Sequence, residues 1–149
     1  MTKLDKIEHK FRFRSYCVDR LEMVIAKDIY DTLDGRKTLK VGFSRYTRMI
    51  DQSSSEIGIT CRISLVTPGT EVEAIRLNAR IKGIFEVRSE EKIDDETMRD
   101  LCNRNAPSIL FPYLRTFISN ITGSAGIAPI VLPVVNPSLI EMTEESFDS

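Results

Sequence analysis

The side chains with catalytic or metal-binding potential in this sequence are few and scattered. His9 is the sole imidazole and sits in a charged N-terminal stretch, while the thiols are Cys17, Cys61 and Cys102. A Ser–His or Cys–His nucleophile needs an imidazole held beside it, and a redox pair or metal site needs thiols at close spacing. Neither pattern is present, so no metal is expected. The three cysteines lie in apolar patterns and read as buried free thiols. The acidic run Glu90-Glu91 with Asp94-Asp95-Glu96 has the residue type for acid–base work. Placed just before a helical pattern, it reads instead as a solvated turn and a helix N-terminus, where negative charge is favourable. Gly123-Ser124-Ala125-Gly126 lacks the preceding strand and the lysine of a phosphate-binding loop, so it reads as a helix stop and linker. No cofactor and no enzymatic activity are expected.

Two other groups of residues carry binding chemistry. Arg12, Arg14, Lys40, Arg62, Arg76, Arg80, Lys82 and Arg88 all fall on the polar parity of alternating segments. They form either a basic sheet face for an anionic partner or a solvated face that its neighbours neutralise. No aromatic residues interleave with these cations to stack bases, which argues against nucleic acid. The second group is the apolar segment from Ile127 to Val135. Pro129 and Pro133 keep it out of a sheet. It either packs over helices of its own or a neighbouring subunit, or borders a groove for extended hydrophobic peptides.

The elements that must position these residues show a change of period. Phe11, Phe13 and Cys17, continued by Leu21, Met23 and Ile25, alternate with polar residues. So do Leu39, Val41 and Phe43; Ile57 through Leu65; and Ile75, Leu77, Ala79, Ile81 and Phe85. This is the signature of four half-buried antiparallel strands. The breaks at Asp34-Gly35, Ser53-Ser54-Ser55 and Thr67-Pro68-Gly69 carry turn chemistry. From Asp94 the spacing predicts a short capped helix with Met98, Leu101 and Cys102, then a longer one from Ala106 to Thr122 with Pro112 in its first turns. Asn136-Pro137 reads as the start of a final helix. The expectation is an α+β fold, a four-stranded antiparallel sheet with helices packed on one face. With 149 residues and a net charge of −1, the chain is expected to be a single domain. Residues 1–9 and 143–149 are expected to be flexible tails. No signal peptide or transmembrane run is legible, so the expected compartment is the cytoplasm.

The block from Gly83-Ile84-Phe85 through Met98, Cys102 and Pro107 to Ile109-Leu110-Phe111-Pro112-Tyr113 and Arg115 resembles the SecB family of export chaperones. The resemblance continues through Pro129, Leu132, Val135 and Asn136. It implies a four-stranded sheet with two helices assembled as a dimer of dimers. It also implies ATP-independent holding of unfolded or presecretory polypeptides in hydrophobic grooves, and their transfer to the translocase motor SecA. By matching position, Phe85, Leu110, Phe111, Tyr113, Leu114 and Phe117, with Ile127, Ile130 and Leu132, are candidates for groove lining or subunit packing. SecB proteins that serve SecA present acidic residues on the outer sheet face. Here one such position is Asn78, flanked by Arg76, Arg80 and Lys82, while Asp19 matches another. A basic surface repels what an acidic one attracts, which argues against handover to SecA. Three readings result: an export holdase, a chaperone dedicated to the antitoxin of a toxin–antitoxin pair, and a binding module using a basic sheet face.

Overall fold

The computed structural model describes residues 11–27, 37–69, 72–88, 93–133 and 142–144. Four long strands come first: β1 (Phe11–Ile25), β2 (Thr38–Met49), β3 (Ser54–Val66) and β4 (Glu73–Val87). One helix, α1 (Asp95–Ser124), and a two-residue strand, β5 (Thr143–Glu144), complete the described elements. The sheet order is β1-β4-β3-β2-β5. The long strands pair antiparallel, and β5 pairs parallel to β2. This is the α+β architecture expected from the period change. The pairing of Thr143 and Glu144 is a departure, since that stretch reads as a tail; an ion pair from Arg45 to Glu144 at 2.9 Å fixes it to the β2 edge. Asp34-Gly35 and the helix expected at Asn136 lie outside the described residues.

The turn chemistry acts as expected in both described hairpins. Asp51 Oδ1 accepts from the Ser53 amide at 2.8 Å, and the Ile50 amide donates to the Ser54 carbonyl at 2.9 Å, closing the β2–β3 turn. At the β3–β4 turn Gly69 adopts φ 78°, a conformation that costs glycine little.

Strand β1 departs from simple alternation. Its register against β4 shifts between Phe13 and Ser15 and again between Val18 and Arg20, so Arg14 and Asp19 are each an extra residue. Each bulge reverses the facing of the residues beyond it. Phe11, Phe13, Tyr16, Val18, Leu21, Met23 and Ile25 therefore share the helix side, opposite the odd-numbered residues of β4. Cys17 pairs with Lys82 on the other face and is exposed, which corrects its expected burial.

The helix is also longer than expected. Asp94 caps it, its carboxylate accepting from the Thr97 amide at 2.7 Å, with Asp95 and Glu96 in the first turn. It then runs unbroken through Pro107 and Pro112, where the spacing predicts two helices. The reason lies in packing. Met98, Cys102, Ala106, Leu110, Leu114 and Ile118 recur at every fourth residue and are all fully buried. Burying one large apolar side chain gains about 1.5–3 kcal/mol, whereas an interior proline costs about 3 kcal/mol, so a continuous stripe outweighs two breaks.

The core lies between this stripe and the inner sheet face, with Ile57, Ile59, Ile63, Leu77, Ile81 and Phe85 at its centre. Helix and sheet pack tightly at Gly83. A Cβ there would sit 2.8 Å from Leu110 Cδ2 and 2.9 Å from the Phe85 ring.

Candidate binding surfaces

The segment after α1 folds back along the helix. Since prolines deny it a strand partner, its backbone is satisfied by helix side chains instead. Arg115 Nε donates to the Leu132 carbonyl at 2.9 Å, and Ser119 Oγ donates to the Ile130 carbonyl at 3.0 Å. Thr122 Oγ1 accepts from the Ile130 amide at 2.9 Å while donating to the Ile118 carbonyl at 2.7 Å. Positions 115, 119 and 122 lie on one face of the helix, so a single polar row secures Ile130 and Leu132. Ile130 and Leu132 turn inward, and Val131 points out.

Among the groove candidates, Phe85, Leu110, Phe111, Leu114, Ile130 and Leu132 lie within the chain's own core. Phe117 and Ile127 are half-buried against it. Tyr113 is exposed, and it stacks on Tyr16 of β1 with ring centroids 4.3 Å apart. Phe13 packs beside Tyr113 at 5.9 Å and on Phe85 at 5.3 Å, and Phe11 stacks on Phe85 at 5.1 Å. The result is an aromatic ledge rising from the core to solvent, where Tyr16 and Tyr113 are 47% and 40% exposed. Leu21, farther along the inner side of β1, is also exposed. Tyr16 is absent from the sequence-derived candidates, because only the bulge at Arg14 brings it to this face.

The outer sheet face holds a layered polar cluster. The Tyr46 ring lies on Gly58, the Arg80 guanidinium sits 5.4 Å above the ring centroid, and the hydroxyl donates to Glu56 at 3.3 Å. Burial, reinforced by the Glu56 charge, pushes the Tyr46 phenol well above its ordinary value. Arg80 holds Asp19 through a two-point contact of 2.9 and 2.6 Å. Those hydrogen bonds hold the Asp19 carboxyl below its ordinary value, against the cost of its burial, and the charges of Arg80 and Lys82 add to the effect. Lys82 lies 3.7 Å from Asp19 and 3.6 Å from Glu56, and Arg48 lies 3.0 Å from Glu56. Arg76 is 3.8 Å from Glu22 and 3.9 Å from Glu73, with Asn78 two residues along the strand. In the sequence-derived face Asp19, Arg80 and Lys82 are thus joined across strands, Arg76 is shared between Glu22 across the strand and Glu73 along it, and Asn78 stands between them. Glu56 and Tyr46 complete it and escape a sequence reading, because their strand parity gives no hint that they are buried.

Burial raises the thiols of Cys61 to about 12 and Cys102 to about 11, so both stay protonated at neutral pH. Among the described residues no three of His, Cys, Asp and Glu gather to hold a metal ion. No helix there is long and apolar enough to cross a membrane.

Residues 13–142 match the family model of SecB, the preprotein translocase subunit. The chain belongs to the SecB family. A SecB protein-export protein of Anaplasma phagocytophilum (strain HZ) is 30% identical over 78 residues, covering 52% of this chain and 49% of that protein. An uncharacterized protein of Methanocaldococcus jannaschii is 44% identical over 62 residues, 42% of this chain and 38% of that one. The chain thus matches half or less of the length of these relatives. Among solved structures, the SecB-like chaperone Rv1957 of Mycobacterium tuberculosis, in complex with a ChAD peptide from the Rv1956 HigA1 antitoxin, shares the fold. Its TM-score is 0.75 at 15% identity, over 91% of this chain and 98% of that one. The two SecB-like motifs meet in the structure: Leu110 of the helix motif sits on Gly83 of the strand motif.

Proposed function

We propose that this SecB-family protein is an ATP-independent holdase and not an enzyme. In this reading it works in the cytoplasm as a homotetramer and binds unfolded polypeptides through apolar surface. The observation that carries the reading is the aromatic ledge of Phe13, Tyr16 and Tyr113, with Leu21 beside it. Large exposed apolar patches mark interaction sites. Apolar burial contributes roughly 25 cal/mol per Å² whatever the sequence buried, which suits clients of many kinds. Tyrosine adds a rigid apolar ring with a polar tip, so the ledge stays wetted when empty.

A second reading, a chaperone dedicated to an antitoxin, is favoured by the outer face. Asp19 is already paired with Arg80, and Asn78 stands beside Arg76, so little free acidic charge is left there for a basic partner such as SecA. A toxin–antitoxin pair encoded alongside, with tight binding of that antitoxin, supports the dedicated role. Rescue of export in cells lacking their own SecB supports the general one.

The deciding assay is suppression of aggregation of an unfolded client at stoichiometric tetramer, read with solution mass. The expected result is suppression by an assembly of four chains. Replacing the exposed tyrosines together (Tyr16→Ser, Tyr113→Ser) is expected to weaken suppression several-fold while leaving the circular dichroism spectrum unchanged. Absence of suppression by the native protein rules out the holdase reading.

A further inference from the structure

On the outer sheet face, beside the Tyr46 cluster, strand register builds a basin. Lys40, Ser64 and Arg76 form one row across β2, β3 and β4, and Gly42, Arg62 and Asn78 form the next. Gly42 contributes no side chain, and a Cβ built there meets nothing within 4 Å. The gap is a cavity of about 460 Å³, whose charged lining is Lys40, Arg62 and Arg76 against the single carboxylate of Glu73. That volume lies within the range of sites that hold small or extended ligands.

Of the basin's three cations Arg62 donates to Ser44 Oγ at 3.0 Å, while Arg76 and Lys40 are held more loosely than the cations of the neighbouring cluster. Arg80 is locked to Asp19 at 2.6 Å, whereas the carboxylates nearest Arg76 lie at 3.8 and 3.9 Å. Among the described residues Lys40 has no carboxylate partner. We propose that the basin docks an extended acidic segment of a partner protein, with carboxylates on alternate residues. Neighbouring strands stand roughly 4.8 Å apart, and alternate residues of an extended chain roughly 6.8 Å apart. Lys40 and Arg76 each lie one strand and one row from Arg62, roughly 8 Å away, a span that long cationic side chains close to meet an acidic residue, any residue, then another acidic residue. Arginine takes a carboxylate through two parallel hydrogen bonds and lysine takes it as a point charge. Glu73 gives the peptide's own amides an acceptor. The lining contains no aromatic ring to stack a base. The basin lies on the opposite side of the sheet from the aromatic ledge, so this docking does not rest on the holdase reading.

The test is fluorescence polarisation with the full chain and a short fluorescein-labelled peptide of alternating aspartate and threonine. The peptide is expected to bind, and its asparagine–threonine counterpart to fail. Lys40→Gln with Arg62→Gln is expected to weaken binding by at least about tenfold, the equivalent of about one charge-assisted hydrogen bond. Gly42→Leu fills the basin without changing charge, has open space to enter, and is expected to weaken binding as much. Both variants are expected to suppress client aggregation as the native protein does, which separates a failure of this site from a failure of holding. The proposal is overturned if neither variant alters peptide binding, if the asparagine peptide binds equally, or if a single-stranded oligonucleotide of equal charge binds more tightly with the same dependence on Gly42.

Discussion

A Cβ on Gly58 would stand 2.0 Å from Cε1 of Tyr46, so the tyrosine ring rests directly on bare backbone of the neighbouring strand. A flat aromatic on the outer face of a sheet is ordinarily solvated, yet Tyr46 is only 2% exposed. Arg80 covers it from above and Gly58 supports it from below, making a second, small packed layer on the polar side.

That relationship sets the first prediction. Gly58→Ala lifts the ring and is expected to lower stability by about 1–3 kcal/mol, the usual cost of overpacking. Tyr46→Ala in the same chain removes the clash. The double variant is therefore expected to lose less than the two single losses combined, as read from urea unfolding midpoints.

The pair beneath Lys82 predicts a pH dependence. In the folded protein Asp19 is held below its ordinary 3.8, chiefly by the hydrogen bonds from Arg80. A depressed carboxyl stabilises the fold above its unfolded value, and the stabilisation disappears as pH falls through the folded value. Arg80→Met is therefore expected to destabilise at neutral pH. Its deficit relative to the native protein is expected to shrink as pH falls below 3.8, measured by urea unfolding across the acid range.

Thiol reactivity offers a direct check on the bulged strand. Cys61 and Cys102 are buried with thiols raised to about 12 and about 11, whereas Cys17 is exposed on β1. At mildly alkaline pH the native protein is expected to react rapidly with a thiol reagent at Cys17 and slowly at the other two. Denaturant is expected to open all of them, and peptide mapping identifies the sites.

The backbone of the returning segment depends on Thr122. Thr122→Val keeps the shape but leaves the buried Ile130 amide without its acceptor, at a cost of about 1–3 kcal/mol. Hydrogen exchange at Ile130 is expected to accelerate by more than exchange in β3 and β4, locating the loss in the segment and not in the sheet.

The sequence makes parts of this fold legible and conceals others for physical reasons. Alternation in β2, β3 and β4 translates directly into faces, because their registers run uninterrupted apart from a shift near Val66. In β1 the extra residues Arg14 and Asp19 break that link, so alternation alone puts Cys17 in the core and passes over Tyr16. Pro107 and Pro112 suggest a helix break, since a local rule carries no information about the packed stripe that overrides it. The Asp19–Arg80 pair joins residues 61 positions apart, and no single-chain pattern announces such a partner. The apolar character of Ile127 to Val135 is visible in the sequence, but not the fastening of Ile130 and Leu132 by Arg115, Ser119 and Thr122.

The two bulges of β1 bear on which length changes this strand can tolerate. Flattening one of them while keeping its residue would turn the far half inside out, placing Leu21, Met23 and Ile25 against solvent and Arg20 and Glu22 against the helix. Together they cancel, and the far half of the strand returns to its original parity. Deletion of Arg14 or Asp19 removes the extra residue itself, so the pairs on either side keep their partners and their facing and the strand is only regularised. A homologue of this chain is therefore free to carry either insertion, both or neither, because each bulge absorbs its own residue without turning the strand over.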